Sequence, residues 1–204
     1  MGSCVAFALC ANASSLPSGY LQLEYIQGTG TQWINTGYTP QSIDTIEMDM
    51  AFTSVGSNQA FWCARQDAAT SSFTFFWLTT GLRFDYNTTQ IPTALETFTP
   101  VVGTRYRVKA DGATGSVTIN DTEVSSYTPA SFTVGGPLSV LASQRNSESP
   151  GDYGYYRLYS FTITSGGTPV VNLVPAKRIS DGVLGVYDTV RDTFYTNAGS
   201  GTFL

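Results

Sequence analysis

Apolar residues in this chain come in short runs of β-branched and aromatic side chains, each closed by Gly, Pro, Asn, Asp or Ser. Almost no stretch repeats them at the three-and-four spacing of an amphipathic helix. The pattern predicts strands over 20–27, 32–36, 43–52, 59–65, 72–78, 82–86, 104–109, 116–120, 138–142, 155–164, 169–174, 183–187 and 193–196. Turn signals separate them, among them Asp111-Gly112, Asn120-Asp121, Gly166-Gly167 and Asp181-Gly182. Asp-Gly and Asn-rich pairs tolerate the positive φ angles of tight hairpins. Many short strands at this spacing imply an all-β fold, a two-sheet antiparallel β-sandwich of the jelly-roll type. Composition does not change character between residues 16 and 204, so 16–204 is expected to be one domain, preceded by an arm over 1–15.

Charged residues make up only 12% of the chain, about half the usual share, and Thr and Ser supply the polar surface instead. That balance suits an extracellular or cell-surface protein. The net charge is −5 with no run of Lys or Arg, which argues against nucleic acid as a partner. Histidine is absent. The commonest general base and transition-metal ligand are therefore missing, and neither a Ser-His-Asp triad nor a Cys-His pair can form.

The arm contains the uncharged apolar run Cys4-Val5-Ala6-Phe7-Ala8-Leu9-Cys10-Ala11. Two readings stand. Ala11-Asn12-Ala13 fits a small-x-small cleavage site, making residues 1–13 a signal peptide. Alternatively, period-two alternation puts Val5, Phe7 and Leu9 on one face of a strand that a neighbouring copy could accept, with 12–15 as the hinge. The run is far short of the ~20 residues that span a bilayer. Cys4 and Cys10 would lie ~20 Å apart on an extended strand, too far for a disulfide. Either could pair with Cys63, or all three are small buried hydrophobes.

Two segments carry a family resemblance. One is Leu16-Pro17-Ser18-Gly19-Tyr20, Leu23-Glu24-Tyr25-Ile26 and Gly28-Thr29-Gly30-Thr31-Gln32-Trp33-Ile34-Asn35-Thr36-Gly37. The other is Val174-Pro175-Ala176-Lys177-Arg178, Asp181-Gly182-Val183-Leu184-Gly185-Val186-Tyr187-Asp188 and the closing Thr193-Phe194-Tyr195-Thr196-Asn197-Ala198-Gly199-Ser200-Gly201-Thr202-Phe203. Together they resemble the concanavalin A-like (LamG-like) jelly-roll domains of bacterial secreted and surface proteins and of phage structural proteins. Arg157 to Ile163 fits the penultimate strand region of that family. The resemblance implies the fold, with the last residues running beside the 31–36 strand. It leaves function open among glycan binding, adhesion and assembly.

Jelly-roll glucanases carry a Glu-x-Asp-x-x-Glu strand. Here the string is Glu47-Met48-Asp49-Met50-Ala51-Phe52, with Phe52 in place of the second glutamate. A retaining glycosidase needs two carboxyls about 5–5.5 Å apart, so no enzyme activity is expected. No cofactor is expected either, although calcium held by Asp67, Asp85, Asp152 or Asp188 and backbone carbonyls stays open beside the reading of these as turn aspartates. Sugar rings stack on aromatic faces beside amides and carboxylates. Two clusters offer this: Asp152, Tyr153, Tyr155 and Tyr156 with Gln144, Arg145 and Asn146, and Trp77, Tyr86 and Asn87. Core packing is the competing reading for both, and Trp33 and Trp62 are expected in the core. Asn12, Asn87 and Asn120 match the N-glycosylation pattern.

Two functions follow from different classes. The first is a structural subunit of a surface filament or array that assembles with copies of itself through Val5, Phe7 and Leu9. Their insertion would bury three side chains worth ~1.5–3 kcal/mol each. The alternative is a secreted carbohydrate-binding, lectin-like module. On the assembly reading, protein lacking residues 1–15 loses self-association in sedimentation; unchanged association ends that reading.

Overall fold

The computed structural model describes residues 16–65, 71–91, 98–144 and 149–204. Every helix or strand among them is a strand. In chain order these are β1 (Tyr20–Gln22), β2 (Ile26–Gln27), β3 (Ile34–Asn35), β4 (Thr45–Phe52), β5 (Gln59–Cys63), β6 (Ser72–Leu78), β7 (Gly81–Asn87) and β8 (Thr89–Ile91). There follow β9 (Arg105–Asp111), β10 (Ser116–Ile119), β11 (Thr122–Ser126), β12 (Ser139–Val140), β13 (Tyr156–Ser165), β14 (Thr168–Arg178), β15 (Leu184–Asp188) and β16 (Thr193–Thr196). No helix among the described residues is long and apolar enough to cross a membrane.

The strands form two antiparallel sheets. The large one runs β11-β10-β9-β4-β13-β14-β15-β16, with β1 beside β14 and β2 beside β13. The small one runs β3-β12-β5-β6-β7-β8. Alternation decides which face each sheet buries. Ile46, Met48 and Met50 of β4 are fully buried while Thr45, Glu47 and Asp49 between them are not. On the small sheet, Phe73, Phe75 and Trp77 of β6 and Leu82, Phe84 and Tyr86 of β7 point into the shared core. Leu158 and Phe161 both face inward although three residues apart. The β13–β4 register shifts between Leu158 and Ser160, and such a bulge inserts one residue and restores the phase.

Aromatic rings tie the sheets together edge to face. Trp62 meets Phe75 within the small sheet at 5.3 Å and Phe161 of the large one at 6.3 Å between centroids. Phe61 packs on Phe52 at 5.7 Å. The first strand region and the chain end also close on each other, as the resemblance implies. Gln27 and Leu204 exchange two backbone hydrogen bonds, at 2.8 and 3.1 Å, and the Trp33 N–H donates to Asn197 Oδ1 at 3.0 Å. Gly199 permits this approach, since a Cβ there would lie 2.1 Å from the Thr31 carbonyl oxygen.

The expected strands are found with two differences. The 20–27 run divides, because β1 pairs with β14 and β2 with β13. β8 and β11 were not expected, being short, polar edge strands without apolar alternation. The β10–β11 hairpin turns on Asn120 and Asp121, whose φ values of 50° and 63° fit the mirror-image turn that such pairs favour.

Several phenols are held protonated by the fold. Burial raises the pKa of Tyr156 and Tyr127, burial and then a hydrogen bond to Asp44 raise that of Tyr38, and a hydrogen bond to Asp192 pushes Tyr187 up to about 12. The unfolded chain releases these protons near the ordinary value of 10.0, before the folded chain does. The phenols' contribution to stability should thus be fully present below pH 10 and be lost as the pH rises through about 12. Phenolate absorbance should rise in two steps, the second coinciding with loss of sheet circular dichroism. Titration of every tyrosine in one step with the sheet intact would contradict this.

Candidate functional site

Residues 152–156 form a strap between the sheets. Tyr156 is fully buried, so its ring has no face for a ligand. Its hydroxyl accepts from the Leu141 N–H at 3.0 Å and donates to the carbonyls of Phe61 at 3.0 Å and Ala60 at 3.2 Å. Packing therefore wins over glycan contact at this position. Tyr155 is half-buried with its hydroxyl against Gly30, where a Cβ would lie 2.2 Å away. Its backbone N–H donates to Gln59 Oε1 at 2.7 Å. Tyr153, also half-buried, packs against the main core. Asp152 accepts from Ser143 Oγ at 3.2 Å. Arg145 and Asn146 lie outside the described residues.

The second cluster separates. Tyr86 is 3% exposed; its hydroxyl lies 3.0 Å from the carbonyls of Ser42 and Ala130, and its ring packs among Phe73, Tyr127 and Phe132. It is a core residue, contrary to the glycan expectation. Asn87, at φ 56°, makes the turn from β7 into β8. Trp77 is different. Its Nε1–H donates to the Val55 carbonyl at 3.1 Å and its ring packs on Phe52 and Phe98, yet it also lines an open cleft of about 350 Å³. Val55, Phe98 and Pro100 supply the apolar remainder, and Thr79, Thr80 and Thr99 stand exposed at the rim. Trp33 and Trp62 are in the core.

A larger cleft of about 500 Å³ lies between residues 181–184 and 196–203. Its amide and carboxylate are already engaged. Asn197 Oδ1 accepts from Trp33 and Gly199, and its Nδ2 donates to Ser200 and Gly201. Asp181 is gripped by Arg178 at 2.7 Å and by the Val183 N–H, which hold its carboxyl below the usual range. This cleft belongs to the junction of the chain ends.

The remaining acidic candidates are ion-paired or wrapped in donors. Glu47 and Asp49 face outward on the large sheet, bonded to Arg107 at 2.9 Å and to Arg105 at 2.6 and 2.7 Å. Phe52 is buried where a glucanase would carry its second glutamate. Asp188, fully buried, accepts from the N–H groups of Asn172, Val190 and Arg191 and from Arg191 Nε at 2.6 Å. A calcium ion there would meet donors, so Asp188 is a turn-forming group and not a metal ligand. Asp85 is likewise held by two arginines. No group of three His, Cys, Asp or Glu among the described residues is arranged to hold a metal.

Asn120 is exposed, with its Oδ1 accepting from the Arg107 N–H at 2.9 Å. Cys63 is buried, its thiol 3.5 Å from the Gln144 carbonyl. Val5, Phe7, Leu9, Asn12, Cys4, Cys10 and Asp67 lie outside the described residues.

Sequence reasoning missed the outward face of the small sheet. Register places Thr74 opposite Asp85 and Phe76 opposite Arg83, and Arg65 comes beside Asp85. The available signal was Arg83-x-Asp85 in alternation with Leu82, Phe84 and Tyr86, which marks both charges as sharing the face away from the core.

The Tyr156 assignment has a direct check. Tyr156→Phe removes the acceptor of the buried Leu141 N–H and the donor shared between the Phe61 and Ala60 carbonyls, and such losses cost ~1–3 kcal/mol. Its melting temperature should fall by several degrees with the fold retained, at roughly 2–4 °C per kcal/mol for a chain this size. An unchanged melting temperature would make the hydroxyl dispensable.

No protein-family model matches the sequence, and no curated protein matches it either. Among solved structures, the chain is similar to the native heptameric SAP-like pentraxin from Limulus polyphemus. The TM-score is 0.53 at 12% identity, over 88% of this chain and 92% of the pentraxin. It also matches the CBM40 of the Ruminococcus gnavus IT-sialidase, bound to α2,3-sialyllactose, with a TM-score of 0.44 at 13% identity over 68% and 89%. The pentraxin likeness is one of fold: both chains are concanavalin A-like jelly-roll sandwiches.

Proposed function

We propose that this protein is a non-catalytic extracellular carbohydrate-binding module, lectin-like in action, whose ligand seats in the cleft over Trp77 and Phe98. The observation that carries the reading is the composition of that cleft. Two aromatic rings and Val55 form its apolar part, and three threonine hydroxyls rim it. A sugar ring presents the matching surfaces, C–H groups on its faces and hydroxyls around its edge. Each threonine hydroxyl both donates and accepts, as a sugar hydroxyl does. The volume of about 350 Å³ lies at the low end of small-ligand sites, which suits a short saccharide. Among the described residues no ionisable side chain lines the cleft, so neutral sugars are its expected ligands.

Trp77 provides its own reporter. On a glycan array followed by titration, a neutral saccharide should bind and shift the tryptophan emission. Phe98→Ala and Thr80→Ala should each weaken binding about tenfold, the equivalent of ~1.4 kcal/mol. Both positions avoid the fully buried core, so the variants should remain folded. A blank array, or affinity untouched by both substitutions, overturns the assignment.

A further inference from the structure

Among the described residues, the outward face of the small sheet holds two arginines against one aspartate, none of which the Trp77 cleft uses. Asp85 is 6% exposed and Arg65 4%. Arg83 grips the Asp85 carboxylate through Nε at 2.8 Å and Nη2 at 2.9 Å. Arg65 stands further off, its Nη1 3.6 Å from the same carboxylate, with its guanidinium 5.2 Å from the centroid of the Phe76 ring. Arg65 Nε is buried and has no hydrogen-bond partner. Among the described residues, two guanidiniums thus share one carboxylate.

A buried guanidinium is expensive unless it is both paired and hydrogen-bonded. Arg83 meets both conditions and Arg65 meets neither in full. Ser72 and Thr74, buried on the same face, are neutral and cannot balance the charge. One negative group meeting the exposed edge of Arg83 would free part of the Asp85 carboxylate for Arg65 and balance the two cations among the described residues. We infer that this patch is an oxyanion-binding subsite, separate from the Trp77 cleft, that takes a single carboxylate or sulfate group. Guanidinium edges match the flat pair of oxygens such groups present. Arg83, whose side chain is 33% exposed, is the side from which the group reaches the pair. Phe76 places an apolar ring beside the charge, so a carboxylate or sulfate borne on a sugar ring finds a wall for its carbon skeleton as well as its oxygens.

The test is titration calorimetry and thermal melting of the full chain with sodium sulfate, glucuronate and neutral methyl glucoside at constant ionic strength. Saturable binding of sulfate or glucuronate, with a raised melting temperature, is expected. Tighter binding of glucuronate identifies the sugar-borne group as the ligand, and binding of sulfate alone identifies the free inorganic anion; either supports the subsite. Arg65→Gln should weaken anion binding at least tenfold. Should that variant not fold, Arg83→Lys, which keeps the charge and loses the planar fork, should weaken it several-fold. Phe98→Ala should leave anion binding unchanged, so failure of the neutral-sugar reading and failure of this one are read separately. No saturable binding of either anion, or binding unaffected by the arginine variants, overturns the inference.

Discussion

Phe61, Trp62 and Phe75 of the small sheet and Phe52, Tyr156 and Phe161 of the large one meet in a single aromatic layer, and the other features of the sandwich are arranged around it. Each ring buried there is worth ~1.5–3 kcal/mol, and edge-to-face contacts add ~0.5–1.5 kcal/mol per pair. Tyr156 brings a hydroxyl into this layer, where an unpaired polar atom would be costly. Three backbone groups around Leu141, Ala60 and Phe61 answer it, and in doing so fix the strap against the small sheet. The layer reaches the open end of the sandwich through Phe52 and Trp77. The floor of the proposed cleft at Trp77 therefore rests on the core, while the 98–100 segment forms one of its walls.

The outward faces of the two sheets have different characters. On the large sheet Arg105 with Asp49, Arg107 with Glu47, and Arg157 with Gln27 form cross-strand pairs open to water. Such pairs contribute little to stability, but they suit a face that stays solvated. Arg105 and Arg157 also lie over Tyr159 and Tyr25, at 4.0 and 4.7 Å from the ring centroids. On the small sheet the described charges are Arg65 and Asp85, both buried, and the half-buried Arg83. A protein with only 12% charged residues that buries Arg65 and Asp85 and sets a half-buried Arg83 beside them has placed these charges where position matters more than solubility.

Strand identity was legible because alternation and turn chemistry agree locally. Asn120-Asp121 marks its hairpin, and Ile46, Met48 and Met50 declare their face. Two kinds of information were not local. The bulge between Leu158 and Ser160 changes the phase within β13, so counting by twos along 153–163 cannot say which tyrosine is buried. Tyr155 and Tyr156 look alike in sequence, yet one lies against Gly30 and the other fills the core. The partnership of Arg65 with Asp85 depends on the pairing of β5, β6 and β7, which brings together residues that no spacing rule connects. Trp77 was legible as an aromatic near a turn. That its ring serves core and cleft at once required the 98–100 segment to be in place.

The position of Phe52 shows how the core packing constrains the outward carboxylates of β4. Glu47 and Asp49 share the solvated face of β4, while Phe52 has the opposite parity and belongs to the aromatic layer. Restoring a glutamate at 52 would put a carboxylate among Phe61, Trp77 and Tyr106, where it would lack water and a partner. A carboxylate at this position would therefore disturb the packing that holds the sheets together. The Phe52 ring that occupies this position also packs against Trp77, so the same contact supports the floor of the proposed sugar site.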